Sequence, residues 1–391
     1  MKLWDKGKSV NKDVLEYTVG DDYILDNVLV KYDCIASIAH AKMLGKIGLV
    51  NKNEVRELVN GLKEIIKLHR EGKFEISPEN EDCHTAIENY LIKKLGETGK
   101  KIHTARSRND QVLTALRLYY KEELNRCSRK KEDLIVTLKD FKKKYGRIVL
   151  PGYTHSRKAM PSSIGLWAGS FIDALKDDLK LVGAAYDLID QSPLGTGAGY
   201  GLPVKIDRKY TADLLGFSRI QANPVYVQNS RGKFESTILH ALSQIMFDLN
   251  KISSDLIVFT LPELGYFSLP EEFCTGSSIM PHKKNPDVLE ILRANYHKVV
   301  SFELLVKQVS ANLLSGYNRD QQLTKGPVIK GLELTHKSIL VADKLFRKLK
   351  VNRQNCKNAM TNELYSAEEA YELVKKGIPF RSAYREISKK Y

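Results

Sequence analysis

The chain has 391 residues, 42% of them hydrophobic, with 62 lysines and arginines against 47 acids, a formal net charge of +15. That length and apolar content suit two or three domains with a real core and exclude a disordered or low-complexity polymer. The cationic surplus calls for an anionic partner, but no zinc-finger spacing, RNA-binding aromatic motif or basic heptad region accompanies it, so nucleic acid is not expected.

Much of the surplus lies in "KKEDLIVTLKDFKKKYGR" and in the lysine pairs of the C-terminal half, spaced as solvated helix faces are. The opening "MKLWDKGKSVNKD" has no apolar signal core, and no stretch reaches bilayer-spanning length, so neither secretion nor membrane insertion is expected. Cys34, Cys83, Cys127, Cys274 and Cys356 are odd in number and fall at no metal-ligand or redox spacing. They read as reduced thiols, which predicts a cytoplasmic protein without a metal site.

Residues 1–105, patterned from about Val10, read as a smaller helical domain. At its end "HTARSRNDQ", His103 to Gln111, places Arg106 and Arg108 around a serine, and Asn109 or Asp110 can cap the helix that follows. Free amides at that helix start and arginine's planar fork both suit a carboxylate, although a surface cap with two solvated arginines fits the stretch equally. A long amphipathic helix then runs from about Asp110 to Lys144. In "GYTHSRKAMP", Thr154 and His155 precede what reads as a proline-started helix, Ser162 to Ile189. The glycine-rich "SPLGTGAGYGLP" does not fit G-x-G-x-x-G and follows no strand, so close backbone packing at a turn explains it better than a phosphate loop.

A third long helix is predicted from Lys233 to Phe259. "TGSSIMPHKKNPD", Thr275 to Asp287, then crowds hydroxyls, lysines and an amide between two prolines. Gly276 permits an unusual turn, Asn285 can cap and Pro286 can start the next helix, and Lys283 and Lys284 surround Ser277 and Ser278. A serine hydroxyl acts as a base near neutral pH only if its anion is stabilised, and fixed positive charge supplies that. The fourth helix, Pro286 to Leu314, carries Leu289, Leu292, Tyr296, Val299, Phe302, Leu305 and Val309 on one predicted face. "GYNRDQQLTKGP" is a further polar connection, with Tyr317, Gln322 and Lys325, before a fifth helix from Pro327 to Leu349. Residues 351–391 read as a short helical appendix. Nearly thirty-residue helices reach about 45 Å, and apolar positions outside one stripe, as in "LLVKQVSANLL", predict an oligomer.

"GSSIMPHKKNPD" is similar to the signature of the fumarase and aspartase superfamily, and "HTARSRNDQ" resembles the argininosuccinate lyase segment. "GYTH", "PLGTGAG", "YNRDQQLTK" and "YDCIASIAHA" recur in that family's order, so the resemblance covers most of residues 3–387. It implies an all-α fold with a central five-helix domain, residues 106–350, forming a twenty-helix core in a homotetramer. It also implies active sites shared between three subunits, and cleavage of argininosuccinate to arginine and fumarate with no cofactor.

By carry-over Ser277 is the base and His155 the acid, with the assignment between the two left open, and Lys283 stabilises the anion. Asn285, Thr154, Asn109, Tyr317, Gln322 and Lys325 match substrate-binding positions, with Arg108 and His84 as second contacts. The chain departs from the family at Asp22, four residues before the matching Asp26, where serine is usual. It departs again at Arg157 and Met160, at Lys233 in "SRGKF", and in the missing acids around Lys325. Two rival readings are a sibling lyase, such as one acting on adenylosuccinate, and a non-catalytic structural protein on the same fold.

Overall fold

A computed structural model describes residues 11–391; most of the opening segment read above lies outside the described residues. Five long helices span Arg108–Tyr145, Ile164–Ile189, Lys233–Phe259, Asp287–Ser310 and Lys325–Lys348. These are the five predicted from periodicity, with shifted ends.

The shifts have local causes. The first long helix is capped by Ser107, not by Asn109 or Asp110: the Ser107 hydroxyl accepts the Asn109 N–H at 3.3 Å, and the Ser107 N–H donates to Asp110 at 3.0 Å. This reciprocal arrangement puts Arg108 inside the first turn. The second does not start at Pro161, which lies in the strand Arg157–Ser163, paired antiparallel with Val149–Thr154. A two-stranded pair tolerates proline because its missing N–H can face outward. The chain enters the helix by a tight fit, since a Cβ on Gly165 would lie 2.8 Å from the Gly146 carbonyl oxygen. The fourth starts at Asp287 because Asn285 is held in a short strand, its amide donating to the Gly276 carbonyl at 3.2 Å.

The chain divides into two compact units. The first comprises Met1–Arg126, Val182–His240 and Ser301–Leu332; the second comprises Cys127–Leu181, Ala241–Val300 and Glu333–Tyr391. In the first, helices Val30–Lys46, Lys52–Arg70 and Cys83–Leu95 pack together, the middle one started by an Asn51–Glu54 capping box. Ala39, Leu194, Ala212, Leu215 and Phe217 form a small apolar cluster there. In the second, Trp167 packs against Phe171, Phe259, Phe267 and Phe346, and its indole N–H reaches Asp255 at 2.9 Å. A half-buried tryptophan in this way keeps its one donor satisfied.

The apolar face predicted for the fourth helix is only partly the buried one. Leu289, Leu292, Val299 and Val306 are buried, while Leu305 is 43% exposed. Burial follows the seven-residue step from 292 to 299 to 306, and Phe302, Leu305 and Val309 turn into a groove shared with Tyr17, Val19 and Leu25. Other long-helix residues also reach solvent in the single chain, among them Leu166, Phe247, Ile291 and Leu304.

The hairpin Val149–Ser163 turns on His155 and Ser156, whose φ values are 49° and 58°. Tight two-residue turns with both centres at positive φ favour asparagine and glycine, so this turn stores strain at the candidate site residue His155. Ser156→Gly is expected to stabilise the protein by about 1 kcal/mol, seen as a raised midpoint in thermal unfolding. An unchanged midpoint would show the turn to be relaxed.

Candidate active site

Six of the predicted residues converge on one cavity of about 180 Å³ in the first unit: His84, Arg108, Asn109, Tyr317, Gln322 and Lys325. Asp22, Asp26, Asp82, Arg231 and Arg319 complete its charged lining. Four permanent cations therefore face three carboxylates in a small space.

The elements that place them are short-range devices. Asp82 caps the helix Cys83–Leu95, accepting the Thr85 N–H at 2.8 Å, and pairs with the Arg108 guanidinium. Asp26 accepts the Cys83 N–H at 3.1 Å and binds the Lys325 ammonium, which also lies 3.1 Å from Asp22. Gln322 is tied to the Thr18 carbonyl at 3.1 Å, and Arg319 to the same oxygen at 2.9 Å. Asp110, one residue beyond Asn109, accepts the N–H groups of Gly195 and Gly197, each at 2.9 Å. That is the role of the glycine-rich stretch: Gly197 has φ 60° and its backbone approaches a buried carboxylate.

The electrostatics follow from burial. Burial penalises the Lys325 charge, but Asp26 and Asp22 outweigh it and hold the ammonium above the usual lysine range. Burial pushes the Asp22 carboxyl up to about 6, against the pull of Lys325 and with help from Asp26 and Asp82. A carboxyl raised from 3.8 to about 6 by folding binds its proton more tightly when folded, so stability falls as pH rises from about 4 to 6 and stays reduced above. Asp22→Asn is therefore expected to stabilise the protein by about 2 kcal/mol at pH 8 and to match wild type at pH 4, by thermal unfolding at both. Equal stabilisation at both would refute the assignment.

Asp26, Cys83 and His84 bring three possible metal ligands within 4.8 Å. They are poorly matched to an ion, because Lys325 already occupies Asp26 and burial pushes the Cys83 thiol well above its ordinary pKa.

The other predicted residues lie in the second unit. Ser277 is half-buried, and its hydroxyl accepts the N–H groups of Ile279 and Met280 at 3.3 and 3.0 Å. The loop is closed by the pair Thr275–Gly276 with Lys284–Asn285, by a Thr275–Asp287 hydrogen bond and by the Lys284–Glu271 ion pair at 2.5 Å. It is a clamped loop with Lys283 exposed on it. Thr154 and His155 stand exposed at the hairpin end. Among the described residues no hydrogen bond joins that hairpin end to the serine loop.

Sequence reasoning missed Arg231, which is buried, stacks over the Tyr317 ring at 5.2 Å, and leaves its Nε and Nη1 without hydrogen-bond partners. It also missed Asp33. A signal was present, since Asp33, Ser37 and His40 put polar groups at helical spacing inside the apolar "YDCIASIAHA", and all three are buried.

A family described as "Lyase" matches residues 8–301. The argininosuccinate lyase of Thermotoga neapolitana is 55% identical over 390 residues, covering all of this chain and 98% of that protein. The argininosuccinate lyases of Sorangium cellulosum and Bacteroides fragilis are 40% and 39% identical, covering 99% of this chain and 90% and 86% of theirs. Among solved structures, an EDDS lyase in complex with formate superposes with TM-score 0.84 at 20% identity, covering 97% of this chain and 76% of that one. A class II fumarase from Schistosoma mansoni does so with 0.81 at 18%, covering 96% and 91%. These two establish the long-helix fold alone. With the family matched over most of its length and such relatives over all of it, the chain belongs to the lyases, in their argininosuccinate lyase branch.

Proposed function

We propose that the protein cleaves argininosuccinate to L-arginine and fumarate, as a carbon–nitrogen lyase of arginine biosynthesis. The observation that carries this is the cationic cavity gathering Arg108, Asn109, Tyr317, Gln322 and Lys325 in a chain 55% identical to a named argininosuccinate lyase. A substrate with three carboxylates needs such a site. Net positive charge on the chain assists its capture.

The reaction is a β-elimination. A base removes the proton on the carbon beside a carboxylate, the C–N bond breaks, a carbon–carbon double bond forms, and the departing guanidinium nitrogen takes a proton. The intermediate is a doubly charged aci-carboxylate, stabilised by fixed cations and donors. Ser277 and His155 form the acid–base pair, with Ser277 the candidate base and His155 the candidate acid. Lys283 and Asn285 support the anion, and Thr154 contacts substrate.

The same reading gives a homotetramer whose sites draw on three subunits. It is supported by the exposed apolar positions on the long helices and by the placement of the acid–base candidates on exposed features of one unit while the cavity lies in the other. In that assembly residues 106–350 build the core, residues 1–105 the flanking domain and 351–391 the appendix. No described helix is long and apolar enough to cross a membrane, and four of the five cysteines are buried as thiols. Both features agree with the cytoplasm as the place of work.

A panel of argininosuccinate, adenylosuccinate, aspartate and malate, followed at the fumarate absorbance, tests the substrate. Fumarate should form from argininosuccinate alone. Turnover of adenylosuccinate but not argininosuccinate would move the protein to a sibling activity.

A further inference from the structure

Behind the cavity lies a chain of buried groups that the elimination chemistry does not use. His84 donates through Nδ1 to Asp33, which is fully buried on the helix Val30–Lys46. Asp33 is itself held from two further directions. The Gln111 amide donates to its two oxygens at 3.0 and 2.9 Å, and the Ser37 hydroxyl donates to it at 2.8 Å. Arg106, also buried, donates to the Ser37 oxygen at 2.7 Å and adds positive charge behind the carboxylate. The other ring nitrogen of His84, Nε2, is buried without a hydrogen-bond partner, on a residue 3% exposed that lines the cavity. A buried polar atom left unpaired beside a polar cavity marks a place where a ligand belongs.

We infer that Asp33 is a positioning residue: through Nδ1 it fixes the His84 ring so that Nε2 presents an N–H to a carboxylate of the substrate. The inference rests on the argininosuccinate reading, in which His84 is a second contact, and adds the residue that orients it.

The groups around the ring agree. Facing it are Asp82 and Cys83 from its own helix and helix cap, Asp26 from the preceding segment, and Asp33 across the interface. Arg108 answers Asp82, and Lys325 answers Asp26. Asp33 remains as the carboxylate that Nδ1 contacts. Burial alone would suppress the ring's charge, but Asp33, with Asp82 and Asp26, raises its pKa above the ordinary histidine value. Burial likewise works against the Asp33 anion, and His84, Arg106 and Gln111 overcome it to hold that carboxyl at about 2. The contact with the Asp33 anion and the raised pKa both favour an imidazolium facing a carboxylate, and only the charged ring has an N–H on both nitrogens.

The test is steady-state kinetics on the full-length oligomer, with argininosuccinate, at pH 5.5 and pH 8. Asp33→Asn should raise KM about 10- to 100-fold at pH 8, the worth of one charge-assisted hydrogen bond, with kcat changed much less. At pH 5.5 its KM rise should be smaller, because acid restores part of the ring protonation that Asp33 secures against burial at pH 8. His84→Gln should raise KM at both pH values, and Asp33→Asn added to His84→Gln should do nothing more. A KM rise of equal size at both pH values, a loss confined to kcat, or additive effects in the double variant would each overturn the inference.

If Asp33→Asn does not fold, Gln111→Met and Ser37→Ala loosen the carboxylate while keeping its charge. Each should raise KM about 2- to 5-fold at pH 8; folded variants with unchanged KM overturn the inference. Failure of the functional reading shows separately, as no fumarate from wild type. In that case the 15N shift of the His84 ring decides: a ring still protonated at pH 8 supports the pairing, and one titrating near 6.5 refutes it.

Discussion

Ser277→Ala should lower kcat by at least about 1,000-fold while leaving the proposed tetramer and the unfolding midpoint almost unchanged. The two halves of that expectation come from different observations. The Ser277 hydroxyl is the candidate base on a loop carrying Lys283, so removing it deletes the group that takes the proton. Its hydrogen bonds in the fold are those from the Ile279 and Met280 amides, both on exposed residues, so water replaces them at a cost under about 1 kcal/mol. The loop's closure does not depend on it, because the strand pair and the contacts of Thr275, Asn285 and Lys284 hold the ends. Size-exclusion chromatography, thermal unfolding and the fumarate assay together check the expectation. Retained turnover would remove Ser277 from the chemistry.

Lys325→Met should be the most damaging single change in the cavity, costing about 3–5 kcal/mol of stability as well as substrate binding. The Asp26 side chain is fully buried and Asp22 mostly so, and Lys325 is the cation between them. Without it the two carboxylates are left close together with their charge unanswered, and at least one must take up a proton at neutral pH. Adding Asp22→Asn to Lys325→Met should recover part of the unfolding midpoint and none of the activity, since the missing ammonium is still missing for the substrate. A single variant as stable as wild type would show that the cluster is solvated and the pairing weak.

The five long helices were legible because a helix of 24 or more residues repeats its apolar step often enough to stand out. Their ends were less so. Ser107 caps through its own hydroxyl and through Asp110 three residues on, a pattern easily misplaced when Asn109 and Asp110 are themselves good caps. The hairpin before the second helix escaped because His155 and Ser156 are poor residues for the turn they make, and Pro161 mimics a helix start. Local preference yields there to the tight turn at the candidate acid His155.

In the site, Arg108 and Asn109 of "HTARSRNDQ" and Tyr317, Gln322 and Lys325 of "GYNRDQQLTKGP" were found together in the cavity, though they are far apart in sequence. Asp22 was readable only as a departure; its pairing with Lys325 depends on a fold that brings residues 22 and 325 into contact. Arg231 was hidden in "SRGKF", a stretch notable in sequence for what it lacks. Asp33 sits on the buried face of a helix, where a carboxylate is tolerated only if fully paired, and its partners Gln111 and His84 come from other elements.

The most direct test of the account is subunit complementation. Ser277→Ala and Asn109→Asp, an isosteric change that adds a carboxylate to the cavity, should each be inactive alone. When the two chains are co-expressed with different tags and the mixed oligomers isolated, some sites combine an intact Ser277 from one chain with an intact Asn109 from another, and a measurable fraction of wild-type fumarate release should return. Mixed oligomers that form normally yet release no fumarate would contradict the claim that neighbouring chains complete each other's active sites.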